Sequence, residues 1–524
     1  MAWRFRFHIA TGLKVLAFLL SSGLFAFSVW YVWTACSVPV ELEIREGTVW
    51  LYALAKRAGV DIYDSNRLAF VNMNHGPMDA ILKGWIATLA PTLSGCTVTR
   101  SFVFLLPFFL LGSAFIVGRR SLTEALLAAA ALHLFLVKLT PMMLVGRSDA
   151  TALCGLAICA ALAHALLVNR HREWSNRRYV VLQLLLGASS AVVLLTSWRI
   201  VPTLAMIYLV VLVKQLAEST SRRFRCLIYA IGLSLTGFAL VWVPTFLVEL
   251  HGNMRLYYQR FFGFFSQESG WGSFPGAKFR PFPAEIIGDR EGLLLLLLGL
   301  TLVALFRLRR ERAQLVAWLL LLPLGWLAYS YGFYRNQGGG GLQYFCPFFL
   351  SVWILVLHAL RQKSKWRPLA QLIVAGLIAG LLSRQGLLDQ RRQLADLRTE
   401  ARTFLRDVAS RTGGQFVFGE DAHLFKSEYH DEVVDTGDTV DAIAVTHYYG
   451  EDFTRSYLSY VNTLLSEPPP FVIAAMLDPG SLLGTTTPHL AGLLKRSYAP
   501  VLQGPANLIA NGGGGIALYE RKAQ

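Results

Sequence analysis

The chain has 524 residues, 54% of them hydrophobic, and a mean hydropathy of +0.46. Repeated apolar runs near the length that crosses a bilayer core exclude a water-soluble globular protein and imply a polytopic helical membrane protein. The net charge of +16 needs no nucleic-acid partner, because its basic residues lie in short segments beside the apolar runs, where anionic headgroups hold them.

Eleven spans are expected, at about 11–35, 100–118, 125–145, 150–168, 179–197, 199–214, 226–249, 291–307, 315–334, 344–360 and 368–384. With the N-terminus inside, the segments MAWRFRFH, GRRS, NRHREWSNRR, KQLAESTSRRFR, RLRRERAQ and RQKSKWR all fall inside, as the positive-inside rule requires. The first run reads as a retained signal anchor. The expected location is a bacterial inner membrane, with a cytoplasmic N-terminus and an extracytoplasmic C-terminal region.

The first outer loop, 37–99, holds the stretch around which the chain is organised. Residues 41–91 are too polar to cross a bilayer. Val49, Trp50, Ala53 and Leu54 recur at helical spacing before Lys56 and Arg57, with Gly59 as a stop. Pro77 opens a second amphipathic helix, with Met78, Ile81, Leu82, Trp85 and Leu89 on one side and Lys83 free to snorkel. Both are expected to lie in the membrane interface. Cys36 and Cys96 flank the loop, and their pairing is left open.

The third span carries His133 and Lys138, and the Lys138 charge is expected to face an intramembrane partner or a site. A tight outer turn, GRSDA, follows it with Arg147 and Asp149. Trp198 and Arg199 mark the next outer turn. The loop 250–290 is basic, aromatic and rich in Gly and Pro; its Arg255, Arg260, Lys278 and Arg280 suit an anionic amphiphile at the interface, or simple anchoring. RNQGGGGLQY, at 335–344, has four successive glycines but no phosphate-loop pattern.

Two domains are expected: a transmembrane unit at 1–384 and an extracytoplasmic α/β unit at 385–524. In the second, a polar helix at about 386–411 precedes strands in QFVFGE, VDAIAVTHYY, FVIAAM and GIALYER, with helices near 453–466 and 488–496.

The acid–Gly pair of REGTVWLYALA, then GVDIYDS, NHGPMDAIL, GRSDATALCGLA and GGGGLQYFCPFF, in that order and topology, resemble the GT-C class of integral-membrane glycosyltransferases, particularly the family-39-like and RgtA-like members. Departures are visible. His75–Gly76–Pro77 stands where members often carry Pro-Pro, and Arg147–Ser148–Asp149 where they often carry R-P-D.

The resemblance implies a GT-C-like fold and an inverting transfer of sugar from a polyprenyl-phosphate donor to a lipid, glycan or protein acceptor on the outer face. Such chemistry needs a carboxylate to take the acceptor's proton and cations to stabilise the departing phosphate. Glu46 is the expected general base; its other reading is an acid capping the next helix. Asp149 is expected to orient the acceptor or bind metal, or to pair with Arg147. His75, Arg147, Arg199, Arg255, Arg260, Lys278 and Arg280 are expected to meet the donor phosphate. A divalent cation on Asp149 and Glu46 is left open. The alternative function is a transporter or flippase of a lipid-linked sugar, although the chain shows no clear internal repeat.

Overall fold

The computed structural model describes residues 2–40, 42, 46–59, 61–63, 76–117, 121–139, 141–168, 177–197, 200–218, 223–254, 367–384, 386–413, 417–418, 470–475, 488–505 and 516–523. The helices are α1 (Ala2–Cys36), α2 (Glu46–Arg57), α3 (Met78–Leu89), α4 (Gly95–Thr99), α5 (Ser101–Val117), α6 (Leu122–Leu139), α7 (Ser148–Val168), α8 (Arg177–Thr196), α9 (Val201–Glu218) and α10 (Arg223–Glu249). After the intervening residues come α11 (Arg367–Arg384), α12 (Leu387–Thr412) and α13 (Pro488–Ser497).

Among the described residues, five helices are long and apolar enough to cross a membrane: Thr11–Cys36, Gly95–Val117, Ser148–Leu167, Arg177–Thr196 and Leu227–Glu249. The chain is a multi-pass membrane protein. The expected spans at 291–307, 315–334 and 344–360 lie outside the described residues. The third span is shorter than expected. It ends at Leu139, and Pro141–Leu144 form a 3-10 turn, because a proline disfavours helical backbone in the residue before it.

Small residues let the helices approach. A Cβ on Gly187 of α8 would sit 1.9 Å from the Ser234 carbonyl oxygen of α10, and one on Gly237 of α10 would sit 2.0 Å from that of Leu184. The two glycines thus form a reciprocal backbone crossing of the kind that drives helix association in lipid. Ser234 Oγ adds a hydrogen bond to Gln183 Oε1 at 2.8 Å. The opposite face of α10, with Leu235, Leu240 and Val248, is exposed, as lipid contact requires. Inside α6, Ser28 Oγ of α1 lies 2.7 Å from His133 Nδ1, so this polar pair is buried together.

A single apolar core runs from α1 through α5, α6 and α7 into α12 and the strands; Val32, Leu106, Leu134, Leu156, Leu397, Ile473 and Leu518 all belong to it. The strands β1 (Val417–Phe418), β2 (Phe471–Ala475), β3 (Tyr498–Gln503) and β4 (Ile516–Arg521) form one sheet in the order β1-β2-β4-β3. β1 and β2 are parallel and the other pairs antiparallel, with Ile473 opposite Leu518. β3 is a strand the sequence reading missed. Its Pro500 argues against a strand, yet β3 lies at the sheet edge with a register shift after Pro500, where a missing N–H is tolerated. The expected strand in VDAIAVTHYY and the helix near 453–466 lie outside the described residues.

Gly187→Ala and Gly237→Ala should each push α8 from α10, lowering stability by about 1–3 kcal/mol. Unfolding midpoints of the purified protein in detergent check this, with Gly232→Ala, where a Cβ would meet nothing within 4 Å, as the neutral control.

Candidate active site

The site forms where three loop-borne elements meet one end of the helical bundle. α4 is capped by Ser94, whose Oγ accepts from the Thr97 amide at 3.4 Å. This short helix hands Arg100 to the junction with α5, where it is fully buried. All five of its N–H donors are used. Nε reaches Glu46 Oε1 at 2.8 Å and Nη2 reaches Glu46 Oε2 at 2.5 Å. The remaining donors go to the carbonyls of Ala35 (3.1 Å), Val38 (2.6 Å) and Val40 (2.6 Å) as the chain leaves α1.

Glu46, the first residue of α2, is equally saturated. Oε1 also accepts from the Gly146 amide at 2.6 Å, and Oε2 from the Leu42 amide at 2.7 Å. A buried charge pair of this kind survives only when every donor and acceptor is matched.

A second buried pair holds the same residue, Gly146, by its carbonyl. Lys83 Nζ donates to Asp79 Oδ2 at 2.9 Å and to the Gly146 carbonyl at 2.6 Å. Thr151 of α7 donates to Asp79 Oδ1. Gly146 therefore gives its N–H to one ion pair and its C=O to the other. A Cβ there would meet Thr99 Cγ2 at 2.5 Å and the Thr99 carbonyl oxygen at 2.6 Å, so glycine is required by close approach. Lys83 was expected to snorkel; instead it and Asp79 face inward, while Trp85 (61% exposed) and Leu89 (85% exposed) face outward. This inverted amphipathic helix suits a bilayer surface, with its charges spent on holding Gly146.

The clamped turn carries Arg147 and Asp149. Arg147 Nε lies 3.8 Å from Asp149 Oδ2, within ion-pair reach but beyond a hydrogen bond. Asp149 stands in the first turn of α7. The far end of α2 is tethered to α10 by the Lys56–Glu249 ion pair and by His251 Nε2 to Asp61 Oδ2 at 2.7 Å. Trp242 and Phe246 stack below, at 4.8 Å between centroids, beside Tyr52, Ile62 and Tyr63. Partial burial raises the Asp61 pKa, but the hydrogen bonds from His251 and the Tyr63 amide and the nearby positive charges outweigh it, so the carboxyl titrates below its ordinary range.

Of the sequence-predicted residues, Glu46, Arg147 and Asp149 come together around this turn. His75, Arg199, Arg255, Arg260, Lys278 and Arg280 lie outside the described residues. Glu46 corrects the expectation of a free base. Its four acceptor positions are filled by Arg100, Gly146 and Leu42, leaving no lone pair for a proton or a cation. Among the described residues no group of three His, Cys, Asp or Glu side chains gathers as a metal site. Cys36 and Cys96 are both buried and are not joined as a disulfide. The sequence reading missed Arg100, Asp79 and Thr151. An arginine at the expected outer end of a span, against the positive-inside bias, and an acid and a lysine four apart in an otherwise apolar helix were the available signals.

No protein-family model matches the chain, and no curated protein sequence matches it. Solved structures do. ArnT from Cupriavidus metallidurans bound to undecaprenyl phosphate matches at 15% identity and a TM-score of 0.55, covering 95% of this chain and 98% of that one. The apo state of the same enzyme matches at 14% identity and a TM-score of 0.57, covering 98% of both chains. The likeness is one of fold. It spans nearly the whole chain and agrees with the GT-C architecture expected from the order of motifs.

Two outcomes are expected. Replacing Glu46 by Gln or Arg100 by Met strands a buried partner and should cost about 3–5 kcal/mol each, whereas the double replacement should cost less than the sum; unfolding midpoints of the four proteins give the coupling. Because the Asp61 pKa is depressed on folding, its tether to His251 is intact at neutral pH and is lost as pH falls below about 4. Spin labels at positions 57 and 254 should show a distance distribution that broadens in that acidic window, and Asp61→Asn should be broad already at pH 7.

Proposed function

We propose that the chain is an inverting GT-C-type membrane glycosyltransferase that uses a polyprenyl-phosphate-linked sugar as donor. The observation that carries this reading is the fold match to ArnT over 95–98% of the chain, together with a charged cluster confined to one end of the bundle. The solved relative binds undecaprenyl phosphate, a ligand of the donor's class. The basic segments flanking the spans support an orientation with the N-terminus in the cytoplasm of a bacterial cell. The clamped turn then faces outward, where sugar nucleotides are absent and a lipid-borne donor arrives sideways through the bilayer.

The reaction is a single displacement. An acceptor hydroxyl oxygen attacks the anomeric carbon, and its proton passes to a carboxylate. The bond from that carbon to the phosphate oxygen breaks, and the polyprenyl phosphate departs with the electron pair. Asp149 is the carboxylate suited to receive the proton, because a long ion pair to Arg147 leaves it acceptor capacity. Arg147 is suited to neutralise the leaving phosphate. Glu46 and Arg100 hold the turn that presents both. His75, Arg199, Arg255, Arg260, Lys278 and Arg280 remain candidates for the phosphate by their place in the sequence. The acceptor is a lipid, glycan or protein hydroxyl, and the region after 385 is suited to meeting it.

Transfer from a radiolabelled polyprenyl-phosphate sugar, measured in membranes, tests this reading. Asp149→Asn should lower turnover by about 10²–10⁴-fold at unchanged unfolding midpoint, whereas Glu46→Gln should lose stability together with activity. Full turnover in Asp149→Asn, with loss confined to a stably folded Glu46→Gln, would move the base back to Glu46. Movement of the lipid-linked sugar across the membrane without transfer would favour a flippase.

A further inference from the structure

The last two turns of α1 and the first three of α12 run side by side, and their shared ridge carries an unusual group of charges. The Arg391 guanidinium carbon lies 3.1 Å above the centre of the Trp30 ring. Arg398 Nη1 donates to Ser37 Oγ at 3.2 Å. Tyr31 Oη donates to Gln390 Oε1 at 3.4 Å, pinning the helices together. Arg391 and Arg398 are seven residues apart, two helical turns on one face. Arg392 lies beside them and meets only Asp389, at 3.3 Å, with both side chains about 70% exposed; such a pair is weak. Among the described residues no carboxylate lies within ion-pair distance of Arg391 or Arg398, and the Arg391 Nε is buried without a hydrogen-bond partner.

The surroundings set the level of this cluster. The apolar span of α1 runs to Cys36, so Trp30 lies six residues, about 9 Å, inside its end. Trp30 (46% exposed) and Trp33 (52% exposed) face outward, as aromatic residues do at the headgroup boundary. Burial against the ring and then the like charges of Arg398 and Arg392 lower the Arg391 pKa. The cluster is thus a concentration of positive charge with planar N–H forks, in which only Arg392 meets an acid among the described residues, beside apolar side chains at headgroup depth.

We propose that Arg391, Arg392 and Arg398, flanked by Trp30, form a binding site for the phosphate of an anionic membrane lipid. Guanidinium groups match phosphate oxygens with paired N–H donors. A lipid headgroup would supply the missing negative charge while its acyl chains lie along the exposed face of Trp33 and α1. An occupied site would brace the joint between α11 and the α12 strut that leads to the sheet. This proposal is independent of the glycosyltransferase reading.

Native mass spectrometry of the full chain in zwitterionic detergent, titrated with phosphatidylglycerol, tests it. The wild type should retain phosphatidylglycerol in preference to phosphatidylcholine. R391Q/R398Q should need about tenfold more lipid for one retained molecule, while R402Q/R406Q, further along the same helix, should match the wild type. R391K/R398K keeps the charge without the fork and should fall between; it carries the test should the glutamine variant fail to fold. Equal retention by the wild type and both site variants would overturn the site. Displacement of phosphatidylglycerol by millimolar inorganic phosphate would overturn the lipid as its ligand and make it a site for free phosphate.

Discussion

One buried ion pair organises the functional end of this molecule. Arg100 spends all five donors and Glu46 all four acceptor positions on each other, on the chain leaving α1 and on the Gly146 amide. Neither charge has access to water, so removing either leaves the other stranded. The pair therefore does more than hold a helix end. It fixes the end of α1, the start of α2, the α4–α5 junction and the turn before α7 relative to one another. The Asp79–Lys83 pair completes the arrangement by taking the carbonyl of the same residue, Gly146.

Charges in this position solve a problem particular to membrane surfaces. The turn before α7 buries Met143, Leu144 and Val145 in the apolar core, and the lipid beyond it offers no hydrogen bonds to its backbone. Hydrogen bonds to the N–H and the C=O of Gly146 restrain the backbone of the turn beside that core. Arg147 and Asp149 then emerge from a fixed backbone, the condition that the proposed base and phosphate-binding cation need to act at a set distance. The inverted α3 follows from the same economy: its polar side grips the turn and its Trp85 and Leu89 remain for lipid.

Much of the fold was legible in the sequence. Apolar runs marked α1, α5, α7, α8 and α10 because a bilayer imposes a length and an apolar surface that composition reveals directly. The helix starting at Glu46, its stop at Gly59 and the helix after Pro77 were legible from spacing and breakers. The C-terminal strands β2 and β4 were legible from apolar runs, whereas β3 was hidden by Pro500, whose tolerance depends on an edge position that only pairing reveals. The site was legible by neighbourhood rather than by role. Glu46 and Asp149 were singled out, but Arg100 is 54 residues from Glu46, and no local pattern announces a partner across that distance. Lys83 reads as a snorkelling charge and Asp79 is not singled out, because amphipathic reasoning assigns ions to water unless a buried acceptor such as the Gly146 carbonyl is known.

The central claim is that the turn bearing Arg147 and Asp149 is held by Glu46 while Asp149 meets the substrate. A cryo-electron microscopy map of the full chain in a nanodisc with a polyprenyl phosphate tests it most directly. The account predicts Glu46 still bonded to Arg100 and to the Gly146 amide, with the lipid phosphate on the Arg147–Asp149 side of the turn. A map in which Arg100 has left Glu46 and the freed carboxylate points at the lipid phosphate would contradict it.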